Sequence, residues 1–265
     1  MFELTKSVNY TLRRDRLVRI TFLTLLVLPF LAMYISGMFE GVSFEELTAS
    51  AYLINIGSAI LEFFLFATMI LSAKAVGGDS GDKTMNYELS SGHSRASVYW
   101  TRILNGVVWS VILVVAMSWI PYGVLTIVNG WGVETAPREV MLRLFLSVFP
   151  LLRFAGGFML VTSLVDSAEA GIAVGYAIVL VETILDGVLE TVDTIDRTYL
   201  FGISNLGKVL DYKNSWEYVE NKKAITWYDF SSPIDLIIGT IAVSAVLAAI
   251  YVTLGYVVFK KRDRR

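Results

Sequence analysis

Six apolar runs, each long enough at roughly 20 residues to cross about 30 Å of hydrocarbon, leave this chain little choice of fold. They cover residues 17–38, 51–73, 99–128, 140–165, 168–192 and 234–259. In lipid every backbone N–H and C=O has to be satisfied inside its own segment, and for single runs of this length that means α-helix. Composition agrees, with 55% of the 265 residues hydrophobic, 17% charged and a mean hydropathy of +0.61. Average soluble domains carry roughly 25% charge. The expected fold is therefore all-α and integral to the membrane, one domain over residues 1–265 with six transmembrane helices. Pro121 is the expected kink of the long third run.

Basic residues orient the bundle. Arg13, Arg14, Arg16 and Arg19 precede the first run; Lys74, Lys83, Arg95 and Arg102 flank the polar stretch after the second; Lys260, Lys261, Arg262, Arg264 and Arg265 follow the sixth. With six spans all three groups fall on one side, which the positive-inside rule makes the cytoplasm. Both termini are then cytoplasmic in a multi-pass protein of the cell membrane. Phe2, Leu4, Val8 and Leu12 recur at helical spacing ahead of the arginines, so residues 1–14, within a segment 1–16, read as an interfacial helix against lipid headgroups. The run behind them is too long for the core of a cleaved signal.

Several chemistries are disfavoured. There is no cysteine, which removes disulfides and thiolates, and His93 is the only histidine, which argues against a histidine metal site or a Ser-His-Asp triad. The net charge of −2 gives no reason to expect nucleic acid. Residues 77–84 approach a nucleotide-binding loop, but Asp82 separates Gly81 from Lys83 and a membrane span precedes them. No catalytic residue is expected, and no ATP hydrolysis in this chain.

The polar interruption at 77–98 is the expected partner site. Asp82 or Thr84 can cap a short helix over 83–91, Gly92 can end it in the left-handed conformation, and Ser94 can cap the next helix. Met85 and Leu89, four apart, would share a face with Tyr87 nearby. The stretch from Asp79 to Arg95, ending Gly92-His93-Ser94-Arg95 and followed by Tyr99 and Arg102, resembles the loop between spans two and three of ABC-type-2 transporter permeases. Resemblance to that family implies a permease subunit, not an enzyme, in which two copies of this chain pair with two copies of a separate ATPase. ATP and magnesium would bind to the ATPase. Lys83, Met85, Tyr87, Glu88, Leu89 and Arg95 would form the coupling helix and its contact, such that Asp at both Met85 and Leu89 should detach the ATPase. The resemblance further implies a bacterial exporter of amphipathic peptides such as bacteriocins, lantibiotics or toxins. Drugs or other hydrophobic solutes are the alternative cargo, and an ion-coupled carrier without an ATPase the alternative mechanism.

Charges at membrane depth cost at least ~2.5 kcal/mol at a helix centre and are usually paired or face water. Glu62, Arg153, Glu182 and Asp186 stand out, with Glu190 continuing the stripe of Glu182 and Asp186. Arg153 is expected to pair with Glu62 or Glu182, and the carboxylates either line a path for a cationic peptide or only fix packing. Phe63, Phe64, Phe66 and Trp109 would offer apolar surface to a cargo or to lipid. Gly171 and Gly175 suggest a seam between two copies; Ala242, Ala245 and Ala249 suggest packing within one. Eight aromatic residues in 193–233, among them Tyr199, Trp216 and Trp227, predict an ordered outer cap with a short helix over 211–220.

Overall fold

The computed structural model of the chain describes residues 2–40, 48–77, 84–133, 136–165, 167–190, 199–210, 217–219, 222–224 and 234–261. In chain order the helices are α1 (Phe2–Arg14), α2 (Arg16–Glu40), α3 (Ala49–Gly77), α4 (Thr84–Ser90), α5 (Arg95–Val128), α6 (Pro137–Val165), α7 (Ala168–Glu190), α8 (Gly202–Leu210) and α9 (Ile234–Lys261). The architecture is helical throughout, apart from one antiparallel pair of three-residue strands, β1 (Glu217–Val219) and β2 (Lys222–Ala224). Strand β1 lies where a helix over 211–220 was expected; its Tyr218 and Val219 are β-formers. Four helices are long and apolar enough to cross a membrane by their described residues, at Arg95–Val128, Pro137–Val165, Ala168–Leu189 and Ile237–Lys261.

Helix α6 is the axis. Its faces meet α3, α7, α8 and α9, and it buries Leu144, Leu151, Phe154 and Phe158 together with the polar Arg143, Ser147, Arg153, Thr162 and Ser163. The hydroxyls of Ser147, Thr162 and Ser163 bond back to carbonyls three or four residues earlier, which lets them sit in the core. Paired glycines on α6 admit α9: a Cβ on Gly156 would stand 3.1 Å from the Ala248 carbonyl oxygen.

The two stripes of small residues do not take the roles expected of them. Gly171 and Gly175 face inward, against Thr162 of α6 and against Phe158 and Met69 respectively, so the α7 pair seals the subunit's own core and is not a seam between copies. Ala242, Ala245 and Ala249 lie on the exposed face of α9, whose packed side is instead Ala248, Tyr251 and Gly255. Small residues permit close approach on whichever face meets a neighbour; for both α7 and α9 that neighbour is α6.

Helix α1 lies against α5, α2 and α3 and buries Leu4, Val8 and Leu12, one residue per turn. Asp15 joins it to α2, capping the new helix through a 2.9 Å bond from the Val18 amide.

Candidate functional site

Two polar assemblies are built into the bundle, one at each end. The first seats α4. Gly92 takes φ +88°, with its N–H donating to Leu89 O, and stops the helix as expected of a glycine. Ser94 caps α5 by accepting from the Ser97 amide. Two turns further along α5, Arg102 donates from Nε to Glu88 Oε2 at 2.9 Å and from Nη1 to the Ala75 carbonyl at 3.4 Å. Both charges are buried, at 5% and 9% exposure. α4 is therefore bolted to α5 and to the end of α3 by an ion pair that is out of water.

This changes the roles of the residues expected to face a partner. Glu88 turns inward and is spent on Arg102. Leu89 is half-buried against the cluster of Val98, Tyr99 and Phe259, so aspartate there would damage the seat itself. Arg95 is exposed and donates to the Lys260 carbonyl at 3.3 Å. Tyr87 is what remains outward, 71% exposed. Lys83 and the side chain of Met85 lie outside the described residues. Beside Tyr87 a groove of about 310 Å³ opens between α4 and α1, lined by Glu3, Leu4, Ser7, Glu88, Ser91 and His93.

Close by, Lys74 at the end of α3 reaches Asp15 at 3.4 Å and Glu169 of α7 at 3.2 Å, with its own side chain buried. Three elements distant in sequence are tied at one point. Its partners cannot be read from the sequence, where Lys74 serves only as a mark of orientation.

The second assembly holds α8, a nine-residue helix that buries Gly202, Asn205, Leu206, Val209 and Leu210 between α6, α7 and α3. Gly202 is required: a Cβ there would meet the Phe154 ring at 2.7 Å. Arg153 donates to the carbonyls of Tyr199 (3.1 Å) and Leu200 (2.9 Å), just before the helix. The Glu182 carboxylate interacts with the amides of Gly202 and Ile203 and with the Arg153 charge. At the other end Arg143, fully buried, donates to Val209 O at 3.3 Å while pairing with Glu139 at 2.9 Å. An acid at the amino end and a base at the carboxyl end both suit the helix dipole. Ser204 donates to Asp186, and Asn205 to Thr240 of α9 at 3.1 Å.

The charges of the spans thus converge on α8. Glu182, Asp186 and Arg153 are brought together around it, and Arg143, overlooked in the sequence although it stands four residues from Glu139, completes the set. Glu62 does not join them; it sits on an exposed face of α3, and Arg153 spends its donors on backbone carbonyls instead. Phe64 is buried in the core, Phe63 is half-buried and Phe66 is exposed. Trp109 is turned toward α1, donating to Asn9 at 2.7 Å.

Arg153→Lys tests the fork. A lysine keeps the charge near Glu182 but has no planar pair of donors for two carbonyls, so the loss of one bond, about 1 kcal/mol, is expected in unfolding experiments on the detergent-solubilised protein. A loss no greater than that of an exposed Arg→Lys exchange would show that the two carbonyls are not held in this way.

The sequence matches no family model and no curated protein.

Proposed function

We propose that the chain is the permease half of an ATP-driven exporter of the ABC-type-2 kind, working as a pair of copies with two copies of a separate ATPase. The observation that carries this reading is α4: a short helix outside the apolar runs, fixed rigidly to α5 and α3 by Glu88 and Arg102, with Tyr87 left outward beside a groove. A lever needs this combination, since a push on a loosely held loop would be dissipated before it reached the spans. On this reading α2 and α3, at 25 and 29 residues, are the first two of six spans, and the positive-inside rule puts α1, α4 and the end of α9 on the cytoplasmic side. ATP and magnesium act in the ATPase. The buried α8, clasped by charges from α6 and α7, closes the outer end and would have to loosen for cargo to leave. An amphipathic peptide is the preferred cargo.

Tyr87→Asp is the direct test. Because Tyr87 is exposed, the exchange should leave the melting temperature of the free permease unchanged, within the ±0.5 kcal/mol usual for surface changes. Co-purification with a separate ATPase partner, and ATP-driven transport of a cationic amphipathic peptide into inverted vesicles, should both be lost. Full retention of the ATPase and of transport would remove α4 from the coupling role.

A second reading rests on Glu182, whose Oε2 is buried without a hydrogen-bond partner among the described residues. Such a carboxylate suits a proton-coupled carrier. Uptake driven by a pH gradient with no ATPase present would favour it.

A further inference from the structure

Between α1, the start of α2 and α5 runs a groove of about 300 Å³ in which two chemistries meet. Its floor is apolar, made by Leu12, Val18, Phe22 and Trp109, and its rim carries Arg13 and Arg19. We propose that this groove binds an anionic phospholipid, the arginines holding the phosphate and an acyl chain lying along the floor. The inference does not rest on the transport reading, only on the helices being in a membrane.

The placement of charge argues for an anion. Arg13 lies over the Trp109 ring, 5.6 Å from its centre, a stacking that fixes the guanidinium at the rim while leaving its in-plane donors to other partners. Among the described residues the Arg19 side chain gives a 3.2 Å bond to the Arg14 carbonyl, which uses one of its five donors. Asp15 is the one acid among residues 4–39, and it is engaged by Lys74 and the Val18 amide. Four arginines, at 13, 14, 16 and 19, are therefore left without a neutralising carboxylate on their own segment.

The placement of apolar surface argues for a lipid over a soluble anion. A free phosphate or a nucleotide would satisfy the arginines and leave the floor wetted. A phospholipid puts its charge at the rim and its chain on Val18, Phe22 and Trp109. About 300 Å³ is at the low end of the range for organic ligands, which suits a single chain with the rest of the lipid in the bilayer. Basic pockets between helices at a membrane surface are a recognised setting for anionic headgroups.

The full chain in mixed micelles tests this. Adding phosphatidylglycerol should raise the melting temperature more than adding phosphatidylcholine, and glycerol 3-phosphate alone should give no rise. Arg13→Gln with Arg19→Gln should weaken the preference for phosphatidylglycerol by about thirtyfold, as expected for two arginines near an anionic surface. Lys260→Gln with Lys261→Gln should retain it. Equal response to both lipids, a full response to glycerol 3-phosphate, or retained preference in the arginine pair would each overturn the proposal. Should the arginine pair fail to fold, phosphatidylglycerol with brominated chains keeps the proposal testable with both arginines in place, by comparing the unaltered protein with its Trp109→Phe variant. Quenching of tryptophan emission should fall when Trp109 is replaced in Trp109→Phe, and unchanged quenching would equally overturn it.

Discussion

Arg102→Leu is expected to destabilise the protein by about 3–5 kcal/mol, because it leaves the Glu88 charge buried with its partner gone. The Arg102 and Glu88 side chains are only 6% and 9% exposed, so solvent cannot easily take the place of the missing guanidinium. The Ala75 carbonyl loses its donor at the same time. Removing both charges, in Glu88→Leu with Arg102→Leu, should recover most of the loss, since an apolar pair of similar volume carries no unpaired charge into the core. Arg95→Ala supplies the comparison: its 3.3 Å bond to Lys260 is exposed and its loss should cost within about 0.5 kcal/mol. Equilibrium unfolding of the three proteins in micelles reads these differences. If Arg102→Leu behaves like Arg95→Ala, α4 is not seated as described, and the rigidity that the coupling proposal needs goes with it.

The helices of this bundle are legible in the sequence wherever a local signal defines them. Long apolar runs mark α5, α6, α7 and α9 without reference to any neighbour, and the ends around α4 follow from Gly92 and Ser94, whose conformations are set within a few residues. The amphipathic character of α1 is likewise carried by its own spacing of Leu4, Val8 and Leu12, although the structure buries that face against α5, α2 and α3 rather than leaving it to headgroups. What the sequence hides is which face of an apolar helix turns inward. In a span that is apolar on every side, amphipathic periodicity vanishes, and small residues remain as the only hint. On α9 that hint misleads, since Ala242, Ala245 and Ala249 face outward, whereas on α7 Gly171 and Gly175 do mark the packed side.

The polar residues are harder still. Arg153 finds its partners 46 and 47 residues away in a segment that reads as a loop, and the partners are carbonyls, which every residue possesses. Glu88 looks like an ordinary solvated acid until Arg102, fourteen positions on, is folded over it. Helix α8 is too short and too mixed to announce that it is buried. The carboxylates of α7 were legible as a stripe, yet their purpose depends on α8 coming to rest against them.

Gly171→Ala is the change that separates packing within one subunit from packing between two. A methyl group on Gly171 would run into Oγ1, Cβ and Cγ2 of Thr162, a buried residue whose hydroxyl is already committed to Phe158 O at 2.7 Å. Overpacking of this kind costs about 1–3 kcal/mol, and here it should appear as lower stability of the single chain, independent of protein concentration. Thr162→Ala in the same chain removes Oγ1 and Cγ2 and should restore most of the loss. Gly77→Ala makes the contrast. Its methyl would meet Thr162 Cγ2 at 2.8 Å but also the backbone nitrogen of Ala168 at 2.7 Å and its Cα at 2.9 Å; Thr162→Ala removes only the first of these, so it should rescue Gly77→Ala in part at most. Were the Gly171 and Gly175 face instead a seam between copies, Gly171→Ala would shift the oligomeric state measured by light scattering, the loss would depend on concentration, and Thr162→Ala would give no rescue.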